Sequence, residues 1–255
     1  MFTTLPPEIL DKILEQIPAK GGRLTLVACA LVATWWTEPS QRRLFSSVLI
    51  HEGNYERWMK GTVLSGSKAY LLKFVRSMWH SRSRRGGIKY QLQDLARDSG
   101  EYLSTLRNLQ SLTLVNIRVE HISEDLFRTC FSAFRETLTY LFLDFFTASF
   151  SAFVTLVEYF PNLASLRLGS YTAEPDGGPV PSLSRPLRGK LHIDEVLATH
   201  LEFFNRFATL DLEYEELVID TSLTVFVETN FVESALQICT NTVRVLRLIA
   251  QLPRG

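Results

Sequence analysis

The sequence predicts an α/β protein in which three short helices are followed by a long stack of parallel strands. Two observations indicate this fold class: a helical hydrophobic pattern within the first 46 residues, and a leucine motif that recurs through the rest of the chain. We expect the strands to line one face of the stack and the connecting helices to line the other. With 255 residues, the chain is long enough to bury a sizeable core.

The first predicted helix runs from Pro7 to Ile17. Its apolar residues fall within an arc of about 140° around the helix axis, and charged or amide residues fill the gaps. Proline favours the helix start, while Pro18 and the pair Gly21 and Gly22 favour its end. The apolar positions are Ile9, Leu10, Ile13, Leu14 and Ile17.

A second helix is predicted from Leu24 to Trp36, and a third has Pro39 near its start and Phe45 near its end. The apolar residues of the second helix point almost all round its axis, so one neighbour cannot cover them. Three helices in about 40 residues bury too little surface to be stable alone without metals or disulfides. Since this segment has neither a disulfide pair nor a set of metal ligands, we expect it to dock on another surface.

A motif of the form Leu-x-Leu recurs through the remaining chain, with isoleucine as its second member in two copies. Successive copies lie 25 to 29 residues apart, and two of them extend upstream with Leu106 and Leu109 or with Phe160 and Leu163. This pattern and period are typical of a leucine-rich repeat. The six copies are Leu112/Leu114, Leu141/Leu143, Leu166/Leu168, Leu191/Ile193, Leu217/Ile219 and Leu246/Leu248.

Helical patterns separate the leucine motifs. A strand and a helix that alternate at a fixed period predict parallel strands stacked into an irregular solenoid over residues 47–255, after a helical segment over residues 1–46. Weaker strand candidates at residues 46–50 and 74–78 would begin the stack. The helical patterns cover residues 123–136, 149–160, 194–207 and 229–240.

Two segments, residues 81–87 and 172–188, interrupt the repeat. Both are too rich in Gly, Pro and Ser for regular elements, and we interpret them as solvated loop excursions. A basic targeting patch formed by Arg82, Arg84 and Arg85 is the alternative interpretation of the first.

Composition narrows the classes of partner and compartment. The 27 basic and 27 acidic residues cancel, which argues against binding to nucleic acid or to a membrane surface through bulk electrostatics. Cys29, Cys130 and Cys239 are far apart among apolar neighbours and predict buried thiols in a reducing compartment. The N-terminus lacks a signal-peptide pattern, and the longest apolar stretch of 13 residues is too short to span a bilayer. We therefore expect a soluble protein of the cytoplasm, the nucleus or both.

None of the catalytic motifs that we considered is complete. Residues 61–68 approach a phosphate-binding loop, but Lys68 is displaced by one position and Ala69 replaces the hydroxyl that would bind a metal ion. The acidic run from Asp211 to Asp220 contains candidate paired carboxylates, yet a solvated strand face explains it better. We therefore predict that the chain is not an enzyme and that it binds no cofactor and no metal ion.

The first 46 residues resemble an F-box. The resemblance is carried by Leu5-Pro6-Pro7-Glu8-Ile9-Leu10, by Leu26-x-x-Cys29-x-Leu31-Val32-x-x-x-Trp36, and by Arg43-Leu44-Phe45. With the repeats that follow, the chain is similar to the leucine-rich-repeat F-box proteins of fungi. It departs from the family pattern at Gly22, where a polar cap is usual, and at Trp35, where a small or polar residue is usual.

The resemblance implies a substrate receptor of a Skp, cullin and F-box (SCF) type ubiquitin ligase. In such a complex the F-box binds the Skp adaptor and through it the cullin, the repeats bind a target protein, and other subunits transfer ubiquitin. The alternative is a leucine-rich-repeat scaffold that binds partners without recruiting a ligase. By the family pattern, the adaptor-binding residues are Leu5, Pro6, Ile9, Leu10, Leu14, Leu31, Val32 and Trp36.

The exposed strand face is the expected target-binding surface. Because side chains alternate along a strand, the residue between the two leucines of each motif points away from the core. The mixture of aromatic, cationic and acidic groups on this face suits a protein partner better than a polyanion. The expected target-binding column is Thr113, Phe142, Arg167, His192, Val218 and Arg247, and a second column is Val115, Asp144, Gly169, Asp194, Asp220 and Ile249.

Overall fold

The computed structural model describes most of the chain, including the helices and strands that carry both predicted surfaces. Its architecture is mixed α/β, as the sequence predicts, with helices and two parallel sheets. Within the described ranges, no helix is both long and apolar enough to cross a lipid bilayer. The described residues are 5–18, 21–58, 69–81, 90–119, 125, 127–174, 182–194, 203, 206–207, 209–222 and 243–251.

Three helices, which we call the helical unit, come first: α1 (Pro7–Glu15), α2 (Arg23–Val32) and α3 (Thr34–Leu44). The predicted end of the second helix is wrong, because Ala33 is extended with φ −159° and ψ 153° and separates α2 from α3. Trp36 therefore belongs to α3, and Pro39 lies inside that helix rather than near its start.

Side chains of α3 hold α1 in place. The guanidinium of Arg43 donates hydrogen bonds to the backbone oxygens of Glu15 and Ile17, at 3.0 and 2.9 Å, and so occupies carbonyls left open at the end of α1. Arg42 also pairs with Asp11 at 3.3 Å. These contacts hold the C-terminal end of α3 against α1.

The larger sheet has eight strands, all parallel and arranged in chain order from one edge to the other. Each Leu-x-Leu motif lies in one of these strands, and the first leucines of the six motifs are aligned in register. The predicted stack of parallel strands is therefore confirmed. The strands are β1 (Ser47–His51), β2 (Ser77–Ser81), β4 (Ser111–Val115), β6 (Tyr140–Asp144), β8 (Ser165–Leu168), β10 (Leu187–Asp194), β11 (Leu212–Ser222) and β12 (Val245–Gln251).

The two weaker strand candidates have different outcomes. The segment 46–50 is confirmed as β1, which begins at Ser47. The segment 74–78 is placed too early, since Phe74 ends the 3-10 helix Ala69–Phe74 and β2 begins at Ser77.

A second, four-stranded parallel sheet lies beside the first and is absent from the sequence prediction. Its strands also follow chain order: β3 (Tyr90–Gln91), β5 (Ile117–Val119), β7 (Phe146–Ala148) and β9 (Tyr171–Ala173). The chain passes from β4 to β5 through Asn116 (φ 58°) and from β6 to β7 through Phe145 (φ 46°). A single residue in the left-handed region thus redirects the chain from one sheet to the other.

The predicted loop excursions are shorter than expected or lie outside the described residues. The ends of the segment 172–188 are strands, because β9 extends to Ala173 and β10 starts at Leu187. Residues 175–181 and 82–89 lie outside the described residues, and so does the candidate basic patch of Arg82, Arg84 and Arg85.

The predicted connecting helices are confirmed in part. The pattern at 149–160 forms a helix, Phe150–Glu158, whose N-terminus is capped by the Ser149 hydroxyl at 3.2 Å from the Ala152 amide. The described part of the pattern at 123–136 is helical as predicted but irregular: Asp125 is α-helical, Phe127–Phe131 form a π-helical turn, and Ser132–Phe134 form a 3-10 turn. The pattern at 229–240 and most of 194–207 lie outside the described residues.

Two further helices, Tyr55–Trp58 and Leu92–Leu103, complete the connections, and aromatic rings fill the space between helices and sheets. Phe134 and Phe160 stack with their ring centroids 6.1 Å apart, and both side chains are fully buried. Burial also raises the pKa of the Cys130 thiol to about 11, as expected for an inert structural cysteine. Cys29 is only half-buried, and Cys239 lies outside the described residues.

Gly189 in β10 and Gly21 between α1 and α2 both have positive φ, and comparing them tests the geometry of the bulge in β10. Gly189 (φ 95°) sits at a bulge in β10, where a Cβ would lie 2.1 Å from the Ala164 carbonyl oxygen, whereas Gly21 (φ 89°) faces open space. We expect Gly21→Ala to cost about 1 kcal/mol from backbone strain alone. Gly189→Ala should cost about 2 kcal/mol more, because the neighbouring strand must also move. Urea unfolding measures both, and equal losses would contradict the bulge geometry.

Candidate functional site

Exposed apolar side chains of the helical unit form the first candidate site, which we call the apolar helix face. Leu24 and Leu31 are each 82% exposed, and Val32 is 75% exposed. Leu24 and Leu31 lie seven residues apart, so they project from the same side of α2. An apolar cluster of this kind on a protein surface marks a binding site. Its members are Leu5, Ile9, Ile13, Leu24, Val27, Leu31, Val32 and Trp35.

The structure divides the eight predicted adaptor-binding residues into two groups. Leu5, Pro6, Ile9, Leu31 and Val32 are exposed, and Trp36 is half-buried. Leu10 and Leu14 are instead buried. Both face inward from α1 into the core, which removes them from the exposed docking set.

Four members of the apolar helix face were not among the predicted residues: Ile13, Leu24, Val27 and Trp35. A signal for them exists in the sequence, because the apolar residues of α2 surround its axis and at least one side must remain uncovered. The family motif alone does not select them.

The second candidate site is the outer face of the larger sheet, opposite the buried leucines. Residues in register across the strands form a row along this face, which we call the middle row. All six predicted target-binding residues lie in it, so their predicted alignment is confirmed. In strand order the middle row is Leu49, Trp79, Thr113, Phe142, Arg167, His192, Val218 and Arg247.

The predicted exposure of the middle row is wrong at Thr113, Phe142 and Val218, which are 6%, 8% and 3% exposed. Neighbours in the same row cover them. The ring centroids of Trp79 and Phe142 lie 6.4 Å apart in an edge-to-face arrangement. The guanidinium of Arg167, from β8, lies 4.7 Å from the centroid of the Phe142 ring. Arg167 and His192 are half-buried, and Arg247 remains exposed.

Asp194 is the centre of a charged cluster on this face. Arg167 Nε donates to Asp194 Oδ2 at 2.7 Å, and His192 Nε2 lies 2.9 Å from Asp194 Oδ1. Burial alone would raise the pKa of the Asp194 carboxyl, but the nearby His192 and Arg167 lower it below its ordinary value. Asp194 is therefore a carboxylate at neutral pH and holds Arg167 across the Phe142 ring.

His192, Asp194 and Asp220 bring their ligand atoms within 4.8 Å of one another. Imidazole and carboxylate groups are ligands that Zn²⁺ accepts. Arg167 already supplies a positive charge at Asp194, which weakens the attraction of this cluster for a cation. The sequence pattern already places Asp194 beside Asp220 in the second column, and the structure adds His192, which that pattern assigns to the first column.

Two members of the acidic run, Glu213 and Glu216, pair with basic residues of neighbouring strands, whereas Asp211 and Glu215 are exposed, so the interpretation of a solvated face holds in part. Glu216 Oε1 lies 3.1 Å from Lys190 Nζ and 3.2 Å from Arg247 Nε, so one carboxylate joins three adjacent strands. Glu213 likewise pairs with Arg188 at 2.6 Å. These ion pairs are partly exposed, and each contributes modestly to stability.

Asp144 supports the turn from β6 to β7. Its Oδ1 accepts hydrogen bonds from the amides of Phe145 at 2.9 Å and Ser170 at 3.2 Å. Gly169 leaves room for this carboxylate, since a Cβ there would lie 2.2 Å from Oδ1. Burial raises the pKa of Asp144, although the two backbone hydrogen bonds oppose that effect.

Both surfaces are suited to binding: one is apolar, and the other combines aromatic rings with paired charges. A comparison of the chain with protein-family models gives no match, and a comparison with curated proteins gives no similar sequence. Function is therefore inferred from the residues and their geometry.

Asp144 provides a test of this electrostatic description. Folding raises the pKa of Asp144, so its charged form lowers the stability of the folded state at neutral pH. This loss of stability diminishes as the pH falls through the folded pKa and the carboxyl becomes protonated in both states. Asp144→Asn, whose amide oxygen can still accept both hydrogen bonds, should raise the melting temperature at pH 7, and the gain should shrink at pH 4. Asp144→Ala should instead lose about 1–2 kcal/mol because two amides lose their acceptor. Circular dichroism melts check this, and equal losses in both variants would contradict it.

Proposed function

We propose that this chain is the substrate-recognition subunit of an SCF-type ubiquitin ligase, with an F-box in residues 1–46 and a leucine-rich-repeat solenoid in residues 47–255. The single observation that carries the proposal is the apolar helix face. It coincides with a segment whose sequence resembles an F-box, and it includes Leu31 and Val32 of the family motif.

The energetics of the apolar helix face favour a tightly bound protein partner. Burying one fully exposed leucine or valine side chain contributes about 1.5–3 kcal/mol. Leu24, Leu31 and Val32 of α2 are all largely exposed, and α1 of the same helical unit exposes Ile9 and Ile13. A Skp adaptor, which offers helices of its own, is the partner that the F-box resemblance implies.

The solenoid half of the proposal is supported by the order of the strands. Eight parallel strands follow one another in chain order, and the leucine motif repeats every 25 to 29 residues. Each unit therefore contacts only its neighbours, which is the organisation of a repeat protein.

In this proposal the chain performs no chemistry. It holds a target protein at high effective concentration near the ubiquitin-transfer subunits, which are bound through the adaptor and the cullin. The adaptor would occupy the helical unit and the target would occupy the outer face of the larger sheet. Because these surfaces belong to different elements, one partner does not compete directly with the other.

Leu31→Asp tests adaptor binding without touching the core. The side chain is exposed, so the variant should fold normally, but a charge buried in the interface without a partner costs several kcal/mol. We expect co-expression with a Skp adaptor to give a stable one-to-one complex with the unmodified chain, and no complex with Leu31→Asp. Size-exclusion chromatography of the co-purified proteins measures this.

Leu49→Asp is the matched control, since Leu49 is another exposed leucine but lies on the sheet. It should retain the adaptor. A folded, monomeric protein that never binds the adaptor would support the alternative of a scaffold that recruits no ligase. Unchanged binding by Leu31→Asp would contradict the docking face.

The middle row predicts where a target binds. Trp79 and Arg247 are its exposed members of the residue types enriched at binding hot spots, so Trp79→Ala and Arg247→Ala should each weaken target capture by about 1–2 kcal/mol. Phe142→Ala is a poorer test, because that ring is buried and its loss destabilises the fold. The measurement is proximity labelling of cellular partners with each variant.

Arg128→Ala and Arg135→Ala, at exposed positions away from the sheet, are the controls and should change the labelled partners little. If these two variants lose the partners while the two middle-row variants keep them, the target binds elsewhere.

A further inference from the structure

A cavity of about 410 Å³ lies where the helical unit meets the first strand of the larger sheet. It is formed by the start of α2, the end of α3 and the residues that lead into β1. Its volume falls within the usual range for small-molecule sites, about 300–1,000 Å³. The described residues that line it are Arg23, Leu26, Arg43, Leu44, Ser46 and Ser47.

The charge of this cavity is unbalanced. Both charged residues among those lining it are arginines, in a chain whose acidic and basic residues cancel. Arg43 uses one terminal nitrogen for the Glu15 and Ile17 carbonyl oxygens, which fixes its position and leaves its remaining N–H groups available. Arg23 forms no ion pair with the described residues. Two guanidinium groups thus face one space without a described acidic partner.

The rest of the lining indicates the shape of the ligand. Leu26, which is buried, and Leu44, which is half-buried, supply the apolar part of the lining. Ser47, which is exposed, adds a hydroxyl that can donate a hydrogen bond. A ligand that matches this lining carries an anionic group and a compact apolar group.

An adjoining cavity of about 340 Å³ shares Arg43 and Ser46 but differs in charge. Asp11 and Glu15 line it together with Arg42, Arg43 and Arg76, and Asp11 already pairs with Arg42. The described lining of this cavity therefore carries a smaller positive charge and two carboxylates that repel an anion, so the cavity beside Arg23 is the better anion site.

We propose that the cavity lined by Arg23 and Arg43 binds a small phosphate monoester that carries a compact apolar group. A phosphate monoester has a charge of about −1.5 to −2 at pH 7, which matches the two guanidinium groups. Its three oxygens accept the parallel N–H pairs that guanidinium groups offer, and the serine hydroxyl can donate to it as well. The apolar group packs on Leu26 and Leu44.

Most of this site is turned away from the apolar helix face. At 100° per residue, Leu26 points about 140–160° away from Leu24 and Leu31 around α2, while Arg23 lies at the edge of that face, about 40° from Val27. A ligand held by α2, α3 and β1 would stabilise the position of the helical unit on the sheet without occupying the proposed adaptor surface.

Phenyl phosphate is the probe that tests the proposal, with inorganic phosphate and sodium chloride of equal ionic strength as comparisons. Isothermal titration calorimetry of the full chain should show saturable binding of one phenyl phosphate, and the melting temperature should rise. Inorganic phosphate should bind at least about tenfold more weakly, because it lacks the apolar group. Equal binding of the two compounds would overturn the apolar half of the site, and absence of saturable phenyl phosphate binding would overturn the site altogether.

Arg23→Gln is the deciding variant, and Arg76→Gln is its matched control, because Arg76 lines only the adjoining cavity. We expect Arg23→Gln to weaken phenyl phosphate binding by at least about tenfold through the loss of charge-assisted hydrogen bonds, and Arg76→Gln to leave it unchanged. An equal effect of both variants would mean general attraction to positive charge and would overturn the proposal. Arg23→Gln should keep its circular dichroism spectrum and its behaviour toward a Skp adaptor, so failure here is distinguishable from failure of the proposed function.

Discussion

The lateral stacking of leucine pairs between adjacent parallel strands is the constraint on which the rest of the structure depends. Each strand contributes two inward side chains, and the pairs of neighbouring strands cover one another in register. In the middle of the sheet, Leu112, Leu141 and Leu191 are completely buried. The two edge strands differ: Val48 and Ile50 of β1 are buried, whereas Leu246 and Leu248 of β12 are 42% and 44% exposed.

This register also creates the chemistry of the outer face. Residues that are 25 to 63 positions apart in sequence come into contact, so a tryptophan, a phenylalanine, an arginine and an aspartate form one chain of contacts from β2 to β10. Glu216 likewise joins Lys190 and Arg247 of the strands on either side. Charges that would be separate on an isolated strand are thus neutralised across the sheet.

The parts of the fold that follow from repetition were predictable, and those that depend on single residues were not. The Leu-x-Leu period marks the strands of the larger sheet because alternation and a fixed offset are both written in the sequence. The second sheet has strands of two or three residues, too short for a repeating pattern, and the turns into β5 and β7 use Asn116 and Phe145 rather than glycine or proline, so their local signal is weak. The break at Ala33 similarly lacks a glycine or proline.

The two candidate surfaces also differ in how far the sequence predicts them. An uncovered side of α2 follows from its apolar composition, whereas the burial of Phe142 depends on Trp79 and Arg167, which come from other strands. Sequence alternation assigns a residue to a face, but the sizes of its lateral neighbours decide how much of it solvent reaches.

Ion pairs and hydrogen bonds hold the connection from β9 to β10 at both of its ends. On one side Glu174 pairs with Arg118, and its amide bonds to the Ala148 carbonyl at 3.0 Å. On the other, Arg185 donates to the carbonyls of Phe160 and Pro161, and the Ser184 amide bonds to Glu158 at 2.7 Å. Since the residues on both sides of this connection are held by their own partners, the positions of β9 and β10 depend little on the length of the chain between them: doubling a connection adds only about 0.6 kcal/mol of closure entropy.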